Sequence, residues 1–108
     1  MNMSPRIVMA VYRPHKGKRD ELKTLIDKHV PTLREYELVT ERAPLLLEGE
    51  DAFVEIFEWV SEDAHDKVQH LPKVAMIWEQ MGMVADFIAL KDLPEAPAPF
   101  AHFTAVEG

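Results

Sequence analysis

Glu55 and His65 are the residues of this chain whose types and positions point most directly to chemistry. Glu55 sits in the run Phe53-Val54-Glu55-Ile56-Phe57-Glu58-Trp59. Side chains alternate along a strand, so Glu55 shares one face with Phe53, Phe57 and Trp59, while Val54, Ile56 and Glu58 take the other. Burial among rings disfavours the charged form of a carboxyl group unless a cation pairs with it, which suits acid–base work near neutral pH. His65 lies early in the helix expected after this strand, where its imidazole could reach the space beside Glu55 and Trp59. The rival reading makes the aromatic face ordinary core, Glu55 an edge residue reaching water and His65 a surface helix residue.

Three further groups belong to the same question. His29 falls on the apolar side of an amphipathic segment, between Ile26 and Leu33. It is either a satisfied core histidine or a second lining residue of the same cavity. Arg13 and Arg42 are candidates to pair with Glu55 or to steer an anionic substrate, against the alternative of ordinary surface arginines. Asp66 and His70 are spaced for one helical face, but two ligands without a third do not make a metal site. No metal and no organic cofactor is expected. Gly-rich phosphate loops, nucleophile elbows, zinc-protease helices and calcium loops are all absent.

The elements that must position these residues follow from periodicity. Ile7–Tyr12 is a nearly all-apolar run and predicts a buried strand. Leu22, Leu25, Ile26, His29, Val30 and Leu33 recur at helical spacing and predict a helix from about Lys18 to Tyr36, bent at Pro31. Leu38 to Leu47 reads as an extended segment interrupted by Pro44, Glu48–Asp51 as a hairpin connection, and Phe53–Val60 as the third strand. Ser61 is an N-cap candidate for a second helix running to about His70. Pro72 opens a further helix that stops at Gly82, and Val84–Leu90 is the last strand. The order is β-α-β-β-α-β, the ferredoxin-like split βαβ arrangement: α+β, with a four-stranded antiparallel sheet and two helices on one face. Residues 1–91 form this domain. Residues 92–108 form a Pro/Ala-rich tail with Phe100 and Phe103, either an arm packed on a partner subunit or a loosely ordered end. Because both faces of the third strand are largely apolar, the face opposite the helices needs cover. A homodimer joined through its sheet faces is the simplest one.

The chain has 108 residues, enough for one core and too few for two domains. Its net charge of −7 disfavours nucleic acid and anionic membranes as partners. The absence of cysteine removes disulfides and thiolate chemistry. No apolar run is long enough to span a membrane, and the Met1–Arg6 start lacks a signal-peptide pattern; a cytoplasmic protein is the expectation.

The segment Glu55-Ile56-Phe57-Glu58-Trp59-Val60-Ser61-Glu62-Asp63-Ala64-His65 resembles the antibiotic biosynthesis monooxygenase-like family of dimeric α+β-barrel proteins. The Tyr12–Gly17 connection and the Pro72 break are also similar, and the resemblance spans roughly Arg6 to Leu90. It implies a homodimer closing a two-sheet barrel and a cofactor-independent monooxygenase acting on a small aromatic or enolisable molecule. In the quinone-forming members the pocket draws on a strand Asn, a Trp and a helix Tyr. The ungapped counterparts here are Glu55, Trp59 and His65, of which the Trp matches. The haem-degrading pattern is not matched. On this reading Glu55 or His65 takes a proton from a substrate lying against Trp59, Phe57 and Phe53, with His29 and Arg42 as further substrate-binding candidates, and the carbanion reacts with O2. Alternatives are a non-catalytic small-molecule-binding or structural dimer, and an isomerase or lyase using the same pocket without oxygen.

Overall fold

The computed structural model describes residues 4–107. Residues 1–3 and Gly108, which belong to the expected domain and tail, lie outside the described residues. The described residues form an α+β protein with a five-stranded antiparallel sheet and three α-helices. Strands β1 (Arg6–Pro14), β2 (Leu45–Glu48), β3 (Phe53–Trp59), β4 (Ala85–Ile88) and β5 (Thr104–Ala105) lie in the order β4-β1-β3-β2-β5. Helix α1 is Arg19–Glu35, α2 is the short Ala64–Val68 and α3 is Pro72–Val84.

The central β1–β3 pair fixes the geometry of everything else. Its register sets Ala10 opposite Glu55, Val8 opposite Phe57 and Tyr12 opposite Phe53. Alternation therefore puts Tyr12, Ala10 and Val8 on the same side as Phe53, Glu55, Phe57 and Trp59. The helices cover this side. Phe57, Trp59, Val30, Leu33, Val68 and Val74 form one buried cluster, and Tyr12, Phe53, Leu22, Ile26, Ile77 and Met81 form another.

The expected four strands become five because the tail returns to the sheet. The Val106 N–H donates to the Leu46 carbonyl at 2.8 Å, and β5 pairs with β2. The tail also lays Leu93 and Phe103 against Val11, Val54, Leu47 and Ile56 on the face away from the helices. Ile7, Met9 and Leu45, on that same face, stay exposed. The second strand is shorter than expected, because only Leu45–Glu48 follows the ring of Pro44; before it, Val39 makes a single bridge to Trp59. Ser61 does not cap α2. Its hydroxyl donates to Asp63, and Asp63 takes the N-cap position. Gly82 does not end α3, which runs on to Val84 before the backbone turns extended at Ala85.

Helix α1 passes through Pro31 and ends in two reverse bonds, Leu38 N–H to the Leu33 carbonyl and Glu37 N–H to the Arg34 carbonyl. This is the Schellman arrangement, with buried Leu33 and Leu38 in the same cluster. It requires left-handed backbone at Glu37, whose φ is 57°. Glycine adopts that conformation without the Cβ penalty. Glu37→Gly is therefore expected to stabilise the protein by about 1 kcal/mol, read as a higher urea midpoint at unchanged m-value. A lowered midpoint would contradict this account of the helix end.

Candidate functional site

Between the sheet and the helices lies a cavity of about 330 Å3. Val8 and Tyr12 of β1, Phe57 and Trp59 of β3, His29 of α1, His65 of α2, Trp78 of α3 and Phe87 of β4 all line it. Five of these rings close a circuit. His29 stands edge-on to Phe57 at 5.4 Å between centroids, Phe57 to Trp59 at 5.1 Å, and Trp59 to His65 at 6.0 Å. His65 then stacks on Trp78 at 6.0 Å and 26°, and Trp78 lies 6.2 Å from His29. Such a wall favours flat apolar ligands through dispersion and ring–ring contact. His65 and Phe87, both exposed, stand at the rim.

Behind the ring circuit is a buried polar chain. Glu55 and His29 are each only 2% exposed. The Tyr12 hydroxyl donates to Glu55 Oε1 at 2.7 Å. The His29 ring bonds the same oxygen through Nδ1 at 2.9 Å, and the Trp78 indole N–H donates to His29 Nε2 at 2.8 Å. An indole nitrogen can only donate, so Nε2 must be the acceptor. The ring proton then sits on Nδ1, directed at Glu55. The tautomer of His29 is thereby set by its two neighbours, and the carboxylate is oriented by two donors on one oxygen.

Burial, the neighbouring Glu55 charge and the bond to it, in that order, push the Tyr12 phenol well above its ordinary value of 10.0. The unfolded chain ionises Tyr12 near that value while the folded chain keeps it protonated. Stability contributed by the protonated phenol is thus fully present below the ordinary value and lost as pH rises above it. Tyr12→Phe is expected to lower stability at neutral pH by about 1 kcal/mol and to flatten the decline between about pH 9 and 11. Urea midpoints across that range check this; an unchanged alkaline slope would contradict it.

The expected site residues are placed as follows. Phe57, Trp59, His65 and His29 come together around the cavity. Glu55 is held behind it, reaching it through Tyr12 and His29, and His65 lies against Trp59 and Trp78 rather than against Glu55. Phe53 lies outside the cavity lining, deeper in the core, with the Arg19 guanidinium 5.0 Å from its ring centre. Arg42 is not at the cavity. Its guanidinium bonds Glu58, whose place in the alternation is opposite to Glu55. Arg13 bonds Asp51 and the Asp92 carbonyl, so neither arginine pairs with Glu55. The residues that do engage the network, Tyr12 and Trp78, were not among the expected site residues. Tyr12 becomes legible once β1 and β3 are paired antiparallel, because it then shares a face with Glu55. Trp78 carries no such signal.

Among the described residues no group of three or more His, Asp or Glu is placed to hold a metal ion, and no helix is long and apolar enough to cross a membrane. No family model, curated protein or solved structure matches the chain, so the resemblance carried by residues 55–65 and spanning roughly Arg6 to Leu90 has no independent support.

Proposed function

We propose that this protein is a ferredoxin-like α+β domain of the antibiotic biosynthesis monooxygenase-like type, acting without a cofactor on a small aromatic or enolisable molecule. The observation that carries the reading is the aromatic-walled cavity backed by the buried Tyr12–Glu55–His29 network. The neighbour order β4-β1-β3-β2 within the sheet supports the fold assignment, and the exposed Ile7, Met9 and Leu45 support a homodimer closed through that face.

In the proposed reaction, a phenolic substrate lies flat between Phe57, Trp59 and Trp78. Its acidic proton passes to Tyr12 Oη as the Tyr12 proton moves to Glu55 Oε1, so the carboxylate is the net base and the phenol the relay. His29, already donating to the same oxygen, keeps the carboxylate aligned. His65 at the rim is the second candidate acceptor. The electron-rich anion then bonds O2 at the ring carbon para to its oxygen; that carbon's C–H bond and the O–O bond break, one oxygen atom stays as a quinone carbonyl, and the other leaves as water with the hydrogens of the substrate's O–H and C–H, so the substrate supplies all four electrons.

The test is oxygen uptake with simple phenols and hydroquinones, on a sample whose mass in solution has been measured by sedimentation. The reading expects a two-chain mass and uptake that Glu55→Gln removes. Uptake indifferent to Glu55 and His65, or a stable monomer, would overturn it. A second reading, a non-catalytic binding dimer, is favoured by one observation: both His29 nitrogens are already engaged. Ligand binding without uptake would select it.

A further inference from the structure

Glu55 separates two cavities. It does not line the ring-walled one; it forms part of the wall of a second, of about 250 Å3, which is open to the surface at Asp27, Pro31, Pro44 and Leu45 and lined deeper by Ile26, Val30, Leu46 and Val106. Both bonds to the Glu55 carboxylate arrive on Oε1, and among the described residues no hydrogen bond reaches Oε2. The lining contains no lysine, arginine or histidine. The Glu55 carboxylate thus meets this cavity with donors on one oxygen only and no cationic side chain in the wall beside it.

Asp27, one turn before Pro31, also lines this space. Pro31 has no N–H, so the Asp27 carbonyl has no hydrogen to accept at the usual helical position four residues on. The Asp27 carboxylate itself is turned to Lys23, 2.8 Å away. The remaining walls are aliphatic. One unpaired carboxylate oxygen, one carbonyl left without its helical partner and apolar sides in a small volume suit one ligand chemistry: a compact ammonium group carrying a short aliphatic body.

We propose that this second cavity is a binding site for a small primary alkylammonium ion, with Glu55 Oε2 as its charged acceptor. The cavity is smaller than an ordinary drug-sized site, which limits the ligand to a few heavy atoms. The site is distinct from the ring-walled cavity, and it stands whether or not that cavity turns over a substrate.

The probe is n-butylammonium chloride, titrated while backbone amide shifts are followed by NMR, with neutral n-butanol as the uncharged match. Saturable shifts are expected at Ile26, Val30, Leu46 and Val106, with n-butanol binding about tenfold weaker or worse. Glu55→Gln should weaken the ammonium by a similar factor. Val106→Phe fills the cavity from the segment just after β5 without touching the Tyr12–Glu55–His29 bonds and should abolish saturation; it decides the matter if the Glu55 variant does not fold. Equal affinity for n-butanol, or binding unchanged in Val106→Phe, would overturn the assignment. So would shifts centred on Trp59, His65 and Trp78, which would put the ammonium on the aromatic rings instead.

Discussion

Glu55→Ala is expected to destabilise the protein by about 3–5 kcal/mol, a large share of the stability of a domain this size. The reason lies in what remains rather than in what is lost. Removing the carboxylate strands the Tyr12 hydroxyl and the His29 Nδ1–H, both in the buried interior and both pointed at the vacated position. Each buried donor left without an acceptor costs about 1–3 kcal/mol. Glu55→Gln keeps one carbonyl oxygen in place and should cost about half as much. Urea unfolding of the two variants separates the cases. If both midpoints match the unmodified protein, the network is not holding the fold.

Phe57→Ala is the second large effect, expected at about 3–5 kcal/mol. Phe57 is buried on β3, stands edge-on to His29 at 5.4 Å and to Trp59 at 5.1 Å, and lines the ring-walled cavity. Truncation removes its transfer free energy and leaves a void that neighbouring rings fill only in part. The same void enlarges the cavity, so bulkier aromatic ligands should gain affinity relative to phenol in this variant. Because Phe57 and Glu55 both contact His29, the double variant should lose less than the sum of the two. A loss below about 1 kcal/mol with unchanged ligand preference would remove Phe57 from both roles.

Much of the positioning framework is legible from local pattern. The alternation in Phe53–Trp59 places Phe53, Glu55, Phe57 and Trp59 on one face, and all four are buried because β3 is the central strand and the helices cover that face. The helical spacing of Leu22 through Leu33 likewise put His29 on the inner side of α1, where it meets Glu55. What local pattern could not supply depends on tertiary contact. β5 is a two-residue strand whose existence rests on pairing with β2, so nothing in the Pro/Ala-rich tail announces it. Gly82 reads as a helix stop but has open space where a side chain would stand, and packing of Met81 and Val84 carries α3 past it. Tyr12 reads simply as part of an apolar strand, because the value of its hydroxyl depends on a carboxylate from a distant strand. Arg42 reads as a free cation near the site, yet Glu58 on the opposite face of β3 captures it.

The account turns on a flat ligand lying in the ring-walled cavity with its oxygen at Tyr12. The most direct measurement is the set of NOEs between bound phenol and the protein's side-chain protons. The account predicts contacts from the phenol ring to Phe57, Trp59 and Trp78, together with a shift of the Tyr12 ring protons that Glu55→Gln alters. Phenol that binds with none of these contacts, or that fails to bind a folded sample at all, would contradict it.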